Sequence, residues 1–149
     1  MSTNPERVAP PRRLPAESLY VDSAAFWRGT RESKLMLQYC TDSGSFQHFP
    51  RPVSLATGSR RLEWREVAGN GVVYAITTLR TPGLGADGRL PCVLALIELD
   101  EGVRILGNLL GDVADLKIGD RVSLAWDELG GDARYPAFAA AGPAQGSVE

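Results

Sequence analysis

Two short polar stretches hold the residues of greatest chemical reach in this chain. Cys40-x-x-Ser43-Gly44 and, beyond a proline-bounded segment, Ser54-x-x-Thr57-Gly58-Ser59 have the spacing and glycines of a two-knuckle zinc ribbon. Only Cys40 offers sulfur. The hydroxyls of Ser43, Ser54 and Thr57 stay neutral near pH 7 and cannot replace thiolates at a structural zinc site, so ribbon-shaped turns without a metal are expected. His48 is the only histidine, and any site built from a nucleophile, a base and an orienting group would need it. It lies between Gln47 and Phe49 in an expected hairpin, where a surface or hydrogen-bonded role fits better than catalysis. No G-x-S-x-G, phosphate-binding loop or His-Glu-x-x-His motif occurs. Gly83-Leu84-Gly85-Ala86-Asp87-Gly88 spells a dinucleotide fingerprint, but Arg89-Leu90-Pro91 leads into a strand rather than a helix, so it reads as a hairpin loop. Asp100-Glu101 and Asp127-Glu128 fall at expected strand ends and read as solvated turn residues. No independent catalytic constellation emerges.

The elements that must position these stretches are mostly strands. Residues 1–18 carry Pro5, Pro10, Pro11 and Pro15 among Arg7, Arg12 and Arg13, a disordered arm by composition. A short helix is expected within 19–33, capped by Asp22 and stapled by Val21 over Phe26. Such a helix is marginal alone, so Phe26 and Trp27 need cover from the rest of the chain or from another chain. Residues 34–60 then form a degenerate ribbon-like lobe, in which Leu35, Leu37 and Tyr39 alternate with Met36 and Gln38, and Phe46 to Phe49 returns as a second strand.

Barrel strands are expected over 61–138. Leu62 and Trp64 alternate with charged neighbours in the first, and Gly69-Asn70-Gly71 reverses the chain into the β-branched run Val72–Thr77. Val93–Leu99, Val103–Leu109 with a bulge or sharp coil expected at Gly107, and the alternating Val122, Leu124 and Trp126 complete the set. The Ala/Gly/Pro-rich residues 139–149 read as a flexible tail. Five short strands with glycine turns and no intervening long helix indicate a mainly β protein: a five-stranded OB-fold barrel preceded by a short helix and the ribbon-like lobe.

Composition narrows the function classes. With 149 residues the chain supports one core, and 44% hydrophobic with 23% charged residues is a globular balance. A net charge of -2 gives no basic field for nucleic acid. Two cysteines, Cys40 and Cys92, are too few for a disulfide framework, and Glu17 and Asp22 interrupt any apolar export segment after Arg12-Arg13. A cytoplasmic location is expected, with no membrane association.

Several stretches together resemble a known family. Pro50-Arg51-Pro52, Gly58-Ser59 with Leu62-Glu63-Trp64, Gly69-x-Gly71, Glu98-Leu99-Asp100-Glu101-Gly102 and Ile118-Gly119-Asp120-Arg121-Val122 follow the order seen in the acyl-CoA-associated OB-fold proteins with a rubredoxin-like zinc ribbon, domain of unknown function thirty-five. The resemblance spans about residues 19–140. Ser43, Ser54 and Thr57 stand where that family usually has cysteine, so this chain resembles a metal-less member.

The resemblance implies a noncatalytic accessory subunit that supports a thiolase-like acyl-CoA enzyme, such as a steroid or lipid side-chain aldolase or acyltransferase, in a hetero-oligomer. A partner role with a hotdog-type enoyl-CoA hydratase is the alternative. Phe26, Trp27, Tyr39, Phe46 and Phe49 are the expected partner anchors. No cofactor is expected on this chain, but a CoA thioester at the partner interface would offer phosphates to Arg51, Arg60, Arg61 and Arg65. From a different class, OB barrels bind nucleic acid through basic, aromatic grooves, and only Tyr74 with Arg65 and Arg80 offers such a face. A free-standing enzyme is the third possibility.

Overall fold

A computed structural model describes residues 21–81, 90–128 and 134–142. The arm 1–18, the loop 82–89 with its fingerprint letters and the tail beyond 142 lie outside the described residues. A 3-10 turn, Val21–Ser23, leads into helix α1, Ala24–Arg31. The N-cap falls one residue after the expected Asp22: it is Ser23, which makes no side-chain capping hydrogen bond. The staple rests on Val21, whose side chain is outside the described residues.

Strands β1 (Leu35–Cys40), β2 (Ser45–Gln47) and β3 (Leu62–Val67) form an antiparallel sheet in the order β2-β1-β3. Both faces of β1 are covered. Leu35 and Leu37 enter the core, while Gln38 and Cys40 are buried against the segment that follows Pro50. This sheet corrects the expected division at residue 60. β3 does not open the barrel but pairs with β1 along its whole length, from Leu35↔Val67 to Cys40↔Leu62. Gly69-Asn70-Gly71 is therefore a junction between two sheets rather than a hairpin turn. Gly69 alone takes the left-handed conformation there, with φ +78°, and a side chain on it would strike Leu124.

The barrel closes in the order β4-β5-β6-β8-β7, from Gly71–Leu79, Cys92–Leu99, Arg104–Leu109, Arg134–Ala140 and Arg121–Glu128 respectively. Its fifth strand is thus β8, which takes in Ala139 and Ala140 from the expected tail and pairs parallel with β6 and antiparallel with β7. Closure removes exposed strand edges from this sheet. The irregularity in the ladder lies not at Gly107 but between Val73 and Ala75 of β4, where Tyr74 is turned outward. Gly107 serves close packing instead: a Cβ there would lie 3.0 Å from the ring of Phe138 on β8.

One hydrophobic cluster joins helix, lobe and barrel, including Phe26 of α1, Leu35 and Leu37 of β1, and Val73, Ile97 and Phe138 of the barrel. Helix α1 is wedged at the seam. Phe26 lies 5.4 Å from His48 of the lobe, and Trp27 lies edge-on 5.2 Å from Tyr135 of β8, measured between ring centroids. The cover that this helix needs therefore comes from its own chain.

Candidate functional site

The two knuckles are built alike. In the first, Gly44 donates its N–H to the Cys40 carbonyl at 2.8 Å; in the second, Gly58 donates to the Ser54 carbonyl at the same 2.8 Å. Gly44 and Gly58 have φ +68° and +71°, which a side chain would strain. The turns face each other across Cys40. Its sulfur lies 3.8 Å from Thr57 Oγ1 and accepts the Ser43 N–H at 3.4 Å. The polar side chains of Ser43 and Ser54, with the Ser43 N–H and Thr57, favour the thiolate and hold the thiol down at about 6, against the usual 9.0. Ser59 ties the knuckles together by donating to Asp42 at 2.6 Å.

All four degenerate ligand positions are therefore brought together, but as a hydrogen-bonded knot. One thiol and three hydroxyls do not fit a structural zinc ion, which takes thiolate and imidazole nitrogen. Among the described residues no cluster of three or more histidine, cysteine or acidic side chains has a metal-holding arrangement.

The arm between the knuckles is fixed by two buried glutamines that sequence reasoning missed. Gln47 Nε2 donates to Gln38 Oε1 at 2.9 Å and to the Val53 carbonyl at 3.1 Å, while Leu55 N–H donates to Gln47 Oε1 at 2.9 Å. Gln38 closes the network by bonding both the N–H and the carbonyl of Arg51. A polar residue on a strand usually marks the solvent face, so the pattern gave no sign of it. Asp127 corrects a second expectation: it is 4% exposed and accepts from Asn108 Nδ2 at 3.0 Å, not a solvated turn residue.

This framing produces a groove of about 500 Å³ between the lobe and the barrel wall. Phe46, Phe49 and Leu55 line it from the lobe, and Leu96 and Leu106 from β5 and β6. Phe49, Leu55 and Leu106 are 64%, 69% and 60% exposed, and they are three of the five large hydrophobic side chains that are exposed among the described residues. Leu55, Leu96 and Leu106 were not among the expected anchors, because only the fold brings them beside Phe49.

The expected anchors separate. Phe26 is in the core, Trp27 packs on the barrel, and Tyr39 lies under the Arg65 guanidinium at 3.6 Å. Phe46 and Phe49 line the groove. Of the four arginines, Arg65 is engaged by Tyr39 and Glu63, and Arg61 pairs with Asp42. Arg51 and Arg60 are exposed and carry no ion pair among the described residues. Arg65 lies on the lobe sheet and Tyr74 on the barrel, where Arg104 covers its ring at 3.6 Å. Among the described residues no helix is long and apolar enough to cross a membrane.

A closed five-stranded barrel carrying a small three-stranded lobe, with an apolar groove between them, defines an OB-fold protein. Comparison with known proteins makes this specific. The family described as the C-terminal OB-fold domain of ChsH2 matches residues 64–127. A solved chain from the "Ltp2-ChsH2(DUF35) aldolase" superposes with a TM-score of 0.74 at 30% identity, covering 87% of this chain and 98% of that one. The chain belongs to the DUF35 OB-fold family.

Among curated relatives, a probable enoyl-CoA hydratase alpha subunit of Thermomonospora curvata is 32% identical over 134 residues, 89% of this chain. The 3-oxo-4,17-pregnadiene-20-carboxyl-CoA hydratase alpha subunit of Mycobacterium tuberculosis is 38% identical over 100 residues, 66% of this chain. A DUF35 domain-containing scaffold protein of Pyrococcus furiosus is 32% identical over 84 residues, 56% of this chain. This chain spans 42%, 31% and 62% of these three proteins' own lengths.

Proposed function

We propose that this protein is a cytoplasmic, noncatalytic accessory subunit that docks a thiolase-like acyl-CoA enzyme, an aldolase or acyltransferase acting on a steroid or lipid side chain. The observation that carries the reading is the convergence of Phe49, Leu55 and Leu106 on one groove. Large apolar side chains exposed together on a rigid frame are the makings of a protein-docking patch. The occupant is an apolar segment of that enzyme. Relatives named as subunits and scaffolds support the accessory role.

The likeness to a chain of the aldolase, over 87% of this chain and 98% of that one, supports the aldolase-type partner. A hydratase partner is the second reading, supported by the names of those two relatives. Arg51 and Arg60, exposed and without an ion pair among the described residues, would meet the phosphates of a CoA thioester at the shared interface. No cofactor is held by this chain alone.

Co-expression with thiolase-like and hydratase candidates, followed by size exclusion, tests the proposal. A stable complex with a thiolase-like enzyme, whose turnover of a CoA thioester depends on this chain, is the expected result. Independent elution from every candidate at micromolar concentration, or turnover by the isolated chain, overturns it.

A further inference from the structure

We infer that Cys40 has taken over the organising role of a metal in the ribbon lobe, and that the lobe still holds the ligand spacing of a tetrahedral site. The inference stands on the knuckle geometry and does not depend on which enzyme is the partner.

Cys40 Sγ and Thr57 Oγ1 are 3.8 Å apart. In a tetrahedral site with zinc–sulfur bonds of about 2.3 Å, neighbouring sulfurs are separated by about 3.8 Å. The two side chains thus already stand one tetrahedral edge apart with no metal between them. The backbone around them is arranged in the same sense. Ser43 N–H points at the Cys40 sulfur, and the Ala56 and Thr57 N–H groups point at Ser54 Oγ, at 3.2 and 3.3 Å. Both first positions of the knuckles, Cys40 and Ser54, are buried acceptors served by the turn that follows them.

What differs is the donor set. A ligand must lose its proton to bind zinc, and a serine or threonine hydroxyl does not do so near neutral pH. The Thr57 hydroxyl instead meets the one remaining sulfur, the Ser54 hydroxyl accepts from the turn that follows it and the Ser43 hydroxyl pairs with Ser45, so the contacts that hold the knuckles run within and between the turns themselves. Gly44 and Gly58 keep the two turns in the required conformation.

The first arm of the test uses the native chain. Metal analysis after purification without chelators is expected to find no stoichiometric zinc, and a strong chelator is expected to leave the thermal midpoint unchanged. The second arm uses the reduced triple variant S43C, S54C, T57C, titrated with cobalt and then zinc. One equivalent of cobalt is expected to give the absorption of a tetrahedral thiolate complex, displaced by zinc, and zinc is expected to raise the thermal midpoint until a chelator removes it.

One zinc per native chain, with collapse of the lobe on chelation, overturns the inference. So does a folded triple variant without thiolate–cobalt absorption. If the triple variant needs metal to fold, refolding with zinc must restore native-like circular dichroism; failure to do so also overturns it.

Discussion

His48 shows how one side chain reports on the seam between lobe and helix. Its ring is stacked on exposed Phe49 at 4.6 Å and tilted against buried Phe26 at 5.4 Å. Burial pushes its pKa down to about 4 from 6.5. Between those values the unfolded chain binds a proton that the native chain refuses, so stability falls as pH drops through 6.5 and the loss is complete below about 4. At about 1.4 kcal/mol per unit, the contribution is about 3 kcal/mol. Urea unfolding between pH 7 and pH 4 should show that decline, and His48→Phe, which keeps an aromatic ring but cannot titrate, should flatten it by about that amount. Gln47 carries a second prediction. Gln47→Ala strips the acceptor from Leu55 N–H and the donor from the Val53 carbonyl, and should cost about 2 kcal/mol in the same assay.

Elements divide into those that the sequence announces and those that need a partner strand to be recognised. β1, β5 and β6 lie close to where apolar runs and turn residues place them. The identity of the barrel strands is another matter, because alternation in Leu62–Val67 states that the segment has one covered face, not which sheet covers it. β8 is concealed by Pro136 and four alanine or phenylalanine positions that lack strong strand preference as a set. In β7 the expected alternation holds at Val122 and then lapses, since Trp126 is only half-buried and the buried neighbour is Asp127. The knuckles were legible because glycines and ligand positions recur at fixed spacing, while the groove was not, because its walls come from strands far apart in the chain. Packing between β6 and β8 gives a test at this scale. Gly107→Ala places a methyl group against Phe138 and the Pro136 carbonyl, both within 3.1 Å, and should lower stability by about 1–3 kcal/mol in chemical denaturation.

At the scale of the whole molecule, the wedge of α1 and the shared hydrophobic cluster make lobe and barrel into one frame, the Gln38–Gln47 network holds the lobe's side of it, and the groove is where that frame leaves apolar surface uncovered. A partner that fills it gains most from the side chains at its centre, and truncating such anchors commonly costs 2 kcal/mol or more, roughly 30-fold in affinity. Phe49→Ala and Leu106→Ala should each weaken the complex by about that factor in calorimetry or surface binding with the purified partner. Because both side chains are mostly exposed in the free chain, their thermal midpoints should barely move, which separates lost docking from lost folding. Ile118 supplies the control: it is as exposed as Phe49, at 64%, yet lies outside the groove. Ile118→Ala should therefore leave affinity unchanged, and equal losses at all three positions would show that general surface hydrophobicity, rather than this groove, holds the partner.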